Sequence, residues 1–379
     1  MALTTAQTNN KLVRYTTEIN REFVRENLFS PYMGTGLTAI IRKRYEPKQG
    51  GEQMNIPLVT KLTNTAKGVG TLVGNEEKID NYGMRVWIDW CRHAVATNKA
   101  EQQKDSADIF GEAKPLLSDW AKETMRDEII ETMMSLPSES APSGLGSDNG
   151  QRVNGLLWQD SSAAQKNTWA SDNSDRVLYG ASTANYSGVH ATDTANIDTT
   201  TDTFDEGIVT LMKRIALLSN PAVRPYKTSD GYESFVIFCG AYAFRDLKVS
   251  LTANNRDGRP RSLKNPIFKD GDLEWDGVIV RQVPEISSMV EDKFTGLATA
   301  GASSTRIEPV FLLGQQALVC AYGQMQKPTF RKEDDYGFIK GTGIEAAYGT
   351  AKMFKKHPMA GSKLVQWGMV TGFVSAATD

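Results

Sequence analysis

Two runs of alternating apolar and polar residues, separated by a long polar loop, limit what this chain can fold into more than any other feature. Met54, Ile56 and Leu58 recur at period two, as do Met84, Val86, Ile88 and Trp90, the spacing that puts every second side chain on one face of a strand. Between them, residues 63–83 are rich in Gly, Thr, Asn and Lys, and Gly68, Gly70, Gly74 and Asn75 supply turn residues with little apolar mass. Residues 54–95 therefore read as a long two-stranded arm. Such a pair is marginal in water, and its apolar stripe needs another surface. Either a neighbouring molecule or the chain's own body supplies that surface, and the alternation alone does not choose between them. Pro57 suits an edge strand, where a missing N–H costs little.

The 379 residues suffice for two or three cores, and 40% hydrophobic with 23% charged residues is the balance of a soluble globular protein. The longest apolar run, residues 235–244, is broken by Gly240 and is about half of the roughly 20 residues a spanning helix needs. Met1 to Asn10 is polar with no apolar segment behind it, so no signal peptide is read there and a cytoplasmic origin is expected. Cys91, Cys239 and Cys320 are widely spaced among apolar neighbours and are expected as buried thiols. A net charge of -2 gives no overall footprint for gripping nucleic acid. Locally, residues 11–48 hold eight basic side chains against four glutamates, while residues 137–205 hold three basic and nine acidic ones. Solvated charge is the default reading of that asymmetry.

Along the chain, Leu12, Tyr15, Ile19, Phe23, Leu28 and Phe29 predict an amphipathic arm ending before Pro31. From Ser106 to Met134 apolar residues recur at three and four, with Pro115 forcing either a kink or a start near Lys114. Roughly 20 helical residues make a rod of about 30 Å. Residues 137–205 are dominated by Ser, Thr, Asn, Asp, Ala and Gly and are expected as a surface lobe. Thr203 and Glu206 read as a capping box for a helix ending before Asn220-Pro221. Beyond it a strand over residues 235–239, a helix over 243–251, a strand over 278–283, a strand over 310–313 leading into a small helix through Cys320, and strands over 344–354 and 364–374 are expected. Strands and helices mix without a βαβ rhythm, so the fold class is α+β.

Motifs for chemistry are weak. His93, His190 and His357 fall in separate segments without metal-ligand spacing. Cys91 and His93 share one side of a strand, with Arg92 on the other, a placement commoner for core or interface residues than for a nucleophile and base. The glycines at 68, 70 and 74 miss the dinucleotide spacing, and no lysine followed by Ser or Thr completes a P-loop. Glu333, Asp334 and Asp335 beside Arg331 and Lys332 read as a solvated turn. No cofactor and no enzymatic activity are expected.

Several runs together carry a resemblance. Gly74-Asn75-Glu76-Glu77, Val86-Trp87-Ile88-Asp89, Arg92-His93-Ala94-Val95, Leu117-Ser118-Asp119-Trp120, residues 186–193, Asn265-Pro266-Ile267-Phe268, residues 274–278 and Asp335-Tyr336-Gly337 are similar to the major capsid proteins of N-four-like tailed bacteriophages, over essentially the whole chain. The resemblance implies a Hong-Kong-97-type capsid fold: residues 1–44 as amino-terminal arm, 45–98 as extended loop, 99–136 as the spine helix of a peripheral domain, 137–202 as a polar surface insertion, 203–327 as axial domain, and 328–379 as strands returning to the peripheral domain.

It further implies an icosahedral shell of hexamers and pentamers of this chain, the arm and extended loop of one copy lying over the peripheral domain of the next. Phe23, Leu28 and Phe29 in the arm, Ile56, Leu58, Leu72, Asn75 and Glu76 in the extended loop, and Arg92 and Arg126 are the expected intersubunit residues. Expected partners are a portal protein, scaffolding and cement or decoration proteins, and packaged double-stranded DNA touched without sequence preference; no membrane is involved. The shell belongs to the virion and is assembled in the host bacterial cytoplasm. An encapsulin-type compartment, and a soluble α+β hydrolase or carbohydrate-binding protein, are the alternatives.

Overall fold

The structure, a computed structural model, describes residues 28–45, 52–59, 61–62, 64–79, 81–104, 109–227, 233–257, 268–269, 272–331, 335–356 and 363–378. Phe23 and most of the expected arm lie outside them. The described chain divides into two compact units, one of residues 91–125 and 325–346, the other of residues 28–90, 126–324 and 347–378.

The larger unit is built on an eight-stranded mixed sheet. Its strands run Phe268–Lys269, Asp272–Trp275, Val278–Gln282, Glu233–Cys239, Ile307–Leu313, Met369–Ser375 and Val177–Tyr179, with Tyr226–Lys227 paired to Glu233–Cys239. The central strands are apolar on both faces: every residue of Ile307–Leu313 and of Met369–Ser375 is buried, as continuous rather than alternating apolar runs require. Ile208 and Met212 of helix Glu206–Leu218 and Leu247 and Leu251 of helix Ala241–Asp257 pack on Phe235, Ile237, Leu312 and Val370. The first of these helices is capped by Asp205, whose carboxylate accepts from Ile208 N at 2.8 Å. This corrects the expected capping box, because Glu206 is turned to the Ser250 hydroxyl instead. The second helix takes its cap from outside its own sequence, Ala241 N donating to Ser287 Oγ at 2.7 Å and Ala243 N to Glu308 Oε2 at 3.1 Å.

A second sheet has the order Met33–Gly34, Ile41–Tyr45, Leu318–Phe330, Ile339–Lys352, Asp89–Asn98, with Val153–Asn154 on Ile339–Lys352. Residues 318–320, expected as a small helix, are strand. Leu318 and Cys320 pair with Ile41 and Lys43 on one face of the sheet, Val319 and Ala321 with Arg42 and Arg44 on the other. The long helix spans Ala113–Met134, so Pro115 sits in its first turn, where the missing N–H has no intrahelical role.

The polar stretch, expected as a surface lobe, is in part woven into the core. Val177–Tyr179 is a parallel partner of Met369–Ser375, and side chains do the work of backbone around it. Asn173 donates to Trp169 O and Leu364 O at 3.0 and 3.1 Å and accepts from Gln366 N at 2.8 Å. Asp202 accepts from Ala181 N at 2.8 Å and Asp198 N at 3.1 Å. Part of the polar composition here therefore serves internal hydrogen bonding, while the segments between these anchors, residues 146–149 and 181–184 among them, are exposed. Trp158, Trp169, Tyr179 and Phe373 enclose His190, whose Nδ1 lies 2.8 Å from the Tyr179 hydroxyl.

Burial, helped by the nearby Lys166 ammonium, pushes the His190 imidazole down from 6.5 to about 4. The fold therefore holds the neutral ring, and its contribution, complete above pH 6.5, is lost as pH falls from 6.5 towards 4, by on the order of 2–3 kcal/mol. Urea unfolding of the parent and of His190→Gln at steps between pH 7.5 and 4.5 checks this. The stability gap between the two should shrink steadily below pH 6.5.

Candidate assembly surface

Strands Gln53–Val59 and Asn81–Trp87 form the expected hairpin, with Met54 opposite Val86 and Ile56 opposite Met84. Their alternation is answered inside the chain. Met54, Ile56, Leu58, Met84 and Val86 form one cluster with Val319, Ala321, Ala351, Met353 and Phe354. Ile56 is 1% exposed and Leu58 7%. Removing such side chains from water is worth about 1.5–3 kcal/mol each, so the root of the ribbon is fixed on its own body.

Beyond that root the chemistry inverts. Residues 64–79 form a loop whose polar groups bond to one another: Asn64 N donates to Glu77 Oε2 at 2.9 Å, Gly74 N to Glu76 Oε2 at 2.7 Å, Asn75 N to Leu72 O at 3.0 Å and Asn75 Nδ2 to Thr71 O at 3.1 Å. Gly74 has φ +81°, the left-handed region that closes this turn. The apolar side chains are left outside, with Leu72 67% and Val73 80% exposed and Val69, Leu62 and Ile79 also in solvent. The turn thus ties several of its polar groups to one another while it presents aliphatic side chains to solvent.

The phage capsid protein family matches residues 4–377. The chain belongs to that family. A chain of the cyanophage Pam1 capsid asymmetric unit is 32% identical, with a TM-score of 0.84 and all of both chains covered. A chain of the capsid of Ralstonia phage GP4 is 18% identical at TM-score 0.67, over 98% of this chain and 96% of that one. A chain of the head structure of Helicobacter pylori bacteriophage KHP40 is 13% identical at TM-score 0.64, over 97% of this chain and 96% of that one. These last two show the shared fold. Among curated proteins, none matches. The function that goes with the family is that of a major capsid protein, a structural role, and neither the encapsulin-type compartment nor the hydrolase or carbohydrate-binding alternative is supported.

Against this capsid fold the expected intersubunit residues separate into two groups. Leu72, Asn75, Glu76 and Arg92 are exposed. Ile56, Leu58, Phe29 and Arg126 are not available to a neighbour, which corrects their assignment. Phe29 is fully buried with its ring edge-on to Phe238 at 5.0 Å. Arg126 is held by Asp127 at 2.8 Å and Glu285 at 3.3 Å, because a guanidinium this deeply buried needs carboxylate partners. Leu28 is half-buried. Further exposed apolar residues are Leu218 and Val249 in the larger unit and Tyr336 and Phe330 in the smaller; Leu218 carries the apolar period of its helix and is nonetheless in solvent.

The remaining candidates for chemistry take structural places. Cys91, Cys239 and Cys320 are buried, and burial pushes the Cys320 thiol up to about 12 and Cys239 well above its usual value, far from thiolate reactivity. His93 packs its ring 4.7 Å from that of Trp120. Among the described residues there is no cluster able to hold a metal ion and no helix long and apolar enough to cross a membrane.

Root and tip should respond oppositely to substitution. Ile56→Ala is expected to cost the unassembled capsid protein about 2–4 kcal/mol in chemical denaturation, the range for a buried aliphatic truncation. Leu72→Asp should change it by less than about 0.5 kcal/mol.

Proposed function

We propose that this capsid protein closes an icosahedral shell around double-stranded DNA by laying the tip of its hairpin on the next copy. The observation that carries the reading is the aliphatic tip at Val69, Leu72 and Val73, exposed while its polar atoms are bonded among themselves. Solvent gains nothing from that arrangement, whereas burying Leu72 alone against a neighbour is worth about 1.5–3 kcal/mol. Repeated around a capsomer, one such heterologous contact per copy generates a ring. Several modest contacts per subunit then hold a shell through effective concentration while letting a misplaced copy leave. That the 32% identical Pam1 chain belongs to a capsid asymmetric unit supports this use of the fold.

On this reading residues 1–44 are the amino-terminal arm, 45–98 the extended loop, 99–136 the spine, 203–327 the axial domain and 328–379 the return to the peripheral domain of a Hong-Kong-97-type subunit. Asn75 and Glu76 shape the tip, and Arg92 fixes register by charge at an exposed position. Phe23 and Leu28 add contacts from the arm. A portal protein, scaffolding and cement proteins are the other partners, assembly takes place in the host cytoplasm, and contact with packaged DNA is independent of sequence and weakened by salt.

Leu72→Asp and Arg92→Glu should each give a soluble, folded subunit that elutes as a small species in size-exclusion chromatography and forms no closed particles by negative-stain electron microscopy. Normal particles from both variants would remove the tip-on-neighbour contact.

A further inference from the structure

Residues 144–154, part of the polar stretch expected as a surface insertion, grip the hairpin at its root. Asn154 accepts from Trp87 N at 2.8 Å and donates to Trp87 O at 3.0 Å and to Thr350 O at 3.2 Å. One buried side-chain amide thus makes the reciprocal pair of bonds that a neighbouring strand would make. Two residues on, Asp89 accepts from Gly146 N at 3.1 Å, and Arg152 Nη1 donates to Trp90 O at 3.1 Å while its other nitrogens hold Glu128 at 2.5 and 2.7 Å. Asn154 itself is fixed by strand pairing, with Val153 and Asn154 in register with Thr350 and Ala351.

The approach is close enough to dictate a residue. A Cβ on Gly349 would stand 1.9 Å from Trp87 O, so only glycine lets the hairpin strand lie this near the sheet. Past Trp87 the two hairpin strands pair with each other alone. Apolar packing beneath them is non-directional, whereas the amide bonds fix an angle.

We propose that residues 144–154 are a clasp that sets the direction in which the hairpin projects, with Asn154 as its positioning residue. The effect on the ribbon stands on the contacts above; its effect on shells rests on the tip-on-neighbour reading. Without the amide, Trp87 N–H and C=O lose their partner in a buried place, a cost that the strand relieves by moving.

The test uses the full-length, unassembled chain with spin labels at Val59→Cys, at the far end of the first hairpin strand, and Leu218→Cys, both exposed, while the native thiols are buried. Pulsed dipolar spectroscopy should give one narrow distance distribution for the parent. Asn154→Ala should shift it by several ångströms or broaden it about twofold, and Asn154→Ser, which keeps one donor and acceptor, should fall between and decides the matter if the alanine variant does not fold. Ile208→Ala, a destabilising change in the core away from the root, should leave the distribution as in the parent. An unchanged distribution in folded Asn154 variants, or an equal change in Ile208→Ala, overturns the clasp. Shifted labels combined with normal particles by electron microscopy would keep the clasp and instead remove the role of the hairpin between subunits.

Discussion

The burial of five hairpin side chains against the chain's own sheet is the interaction on which the rest depends. A two-stranded ribbon in water has too little apolar contact to hold its shape. Met54, Ile56, Leu58, Met84 and Val86 obtain that contact from Val319, Ala321, Met353 and Phe354, and only because the root is fixed in this way can residues 64–79 be displayed away from it in a defined turn. A ribbon that relied on a neighbour for all of its burial would have no preferred direction before assembly. Docked at one end, it resembles a cantilever, stiff where it meets the body and exposed at its tip.

The body that carries this ribbon is stiffened by charges that find their partners within the chain. Arg176, fully buried, is held by Asp175 at 2.9 Å and by the carbonyls of Gln366 and Pro221. Arg306 reaches Glu291 at 2.5 Å and Glu308 at 3.6 Å and faces the Tyr242 ring. Arg126 joins the long helix to Glu285 on Pro284–Asp292. Such groups add little net stability over apolar packing, but they are costly to misplace, and so they penalise alternative packings of the same elements. A subunit that must repeat one set of contacts many times benefits from a single packing more than from a deeper energy well.

What was legible in the sequence was what is periodic. The hairpin strands, the long helix, the helix over residues 206–218 and the strand at residues 235–239 each carry a run whose spacing has one interpretation. The strand at Leu318 was read as helix because residues 317–322 are apolar on both faces, and a short run without alternation has no period to measure. The polar stretch misled for a related reason: Asn173, Arg176 and Asp202 are buried by bonding to backbone, and composition does not distinguish a polar side chain that serves water from one that serves a carbonyl. At the assembly surface, alternation correctly marked Ile56 and Leu58 as buried but carries no information about which molecule buries them. Leu72 could be placed only because it interrupts a glycine-rich tip. Asn154 leaves no trace in sequence, since one amide completing a strand end obeys no spacing rule.

The division between root and tip also bears on how strong each contact should be. If the tip were as apolar as the root, an unassembled copy would find any hydrophobic partner at hand and hold it, and closure into a shell would be trapped by its first errors. On the proposed contact, three or four aliphatic side chains would bury on the order of 5–10 kcal/mol of transfer free energy, most of it offset by the freedom lost on association, so that one contact dissociates alone and several on one subunit hold. On the proposed tip-on-neighbour contact, selectivity would come from direction rather than affinity, the tip reaching its site only when the ribbon leaves the body at the correct angle. Apolar packing is indifferent to a rotation of a few degrees, but a hydrogen bond weakens steeply as its angle departs from linearity. The polar residues at the root therefore have a task that further apolar burial there would not accomplish.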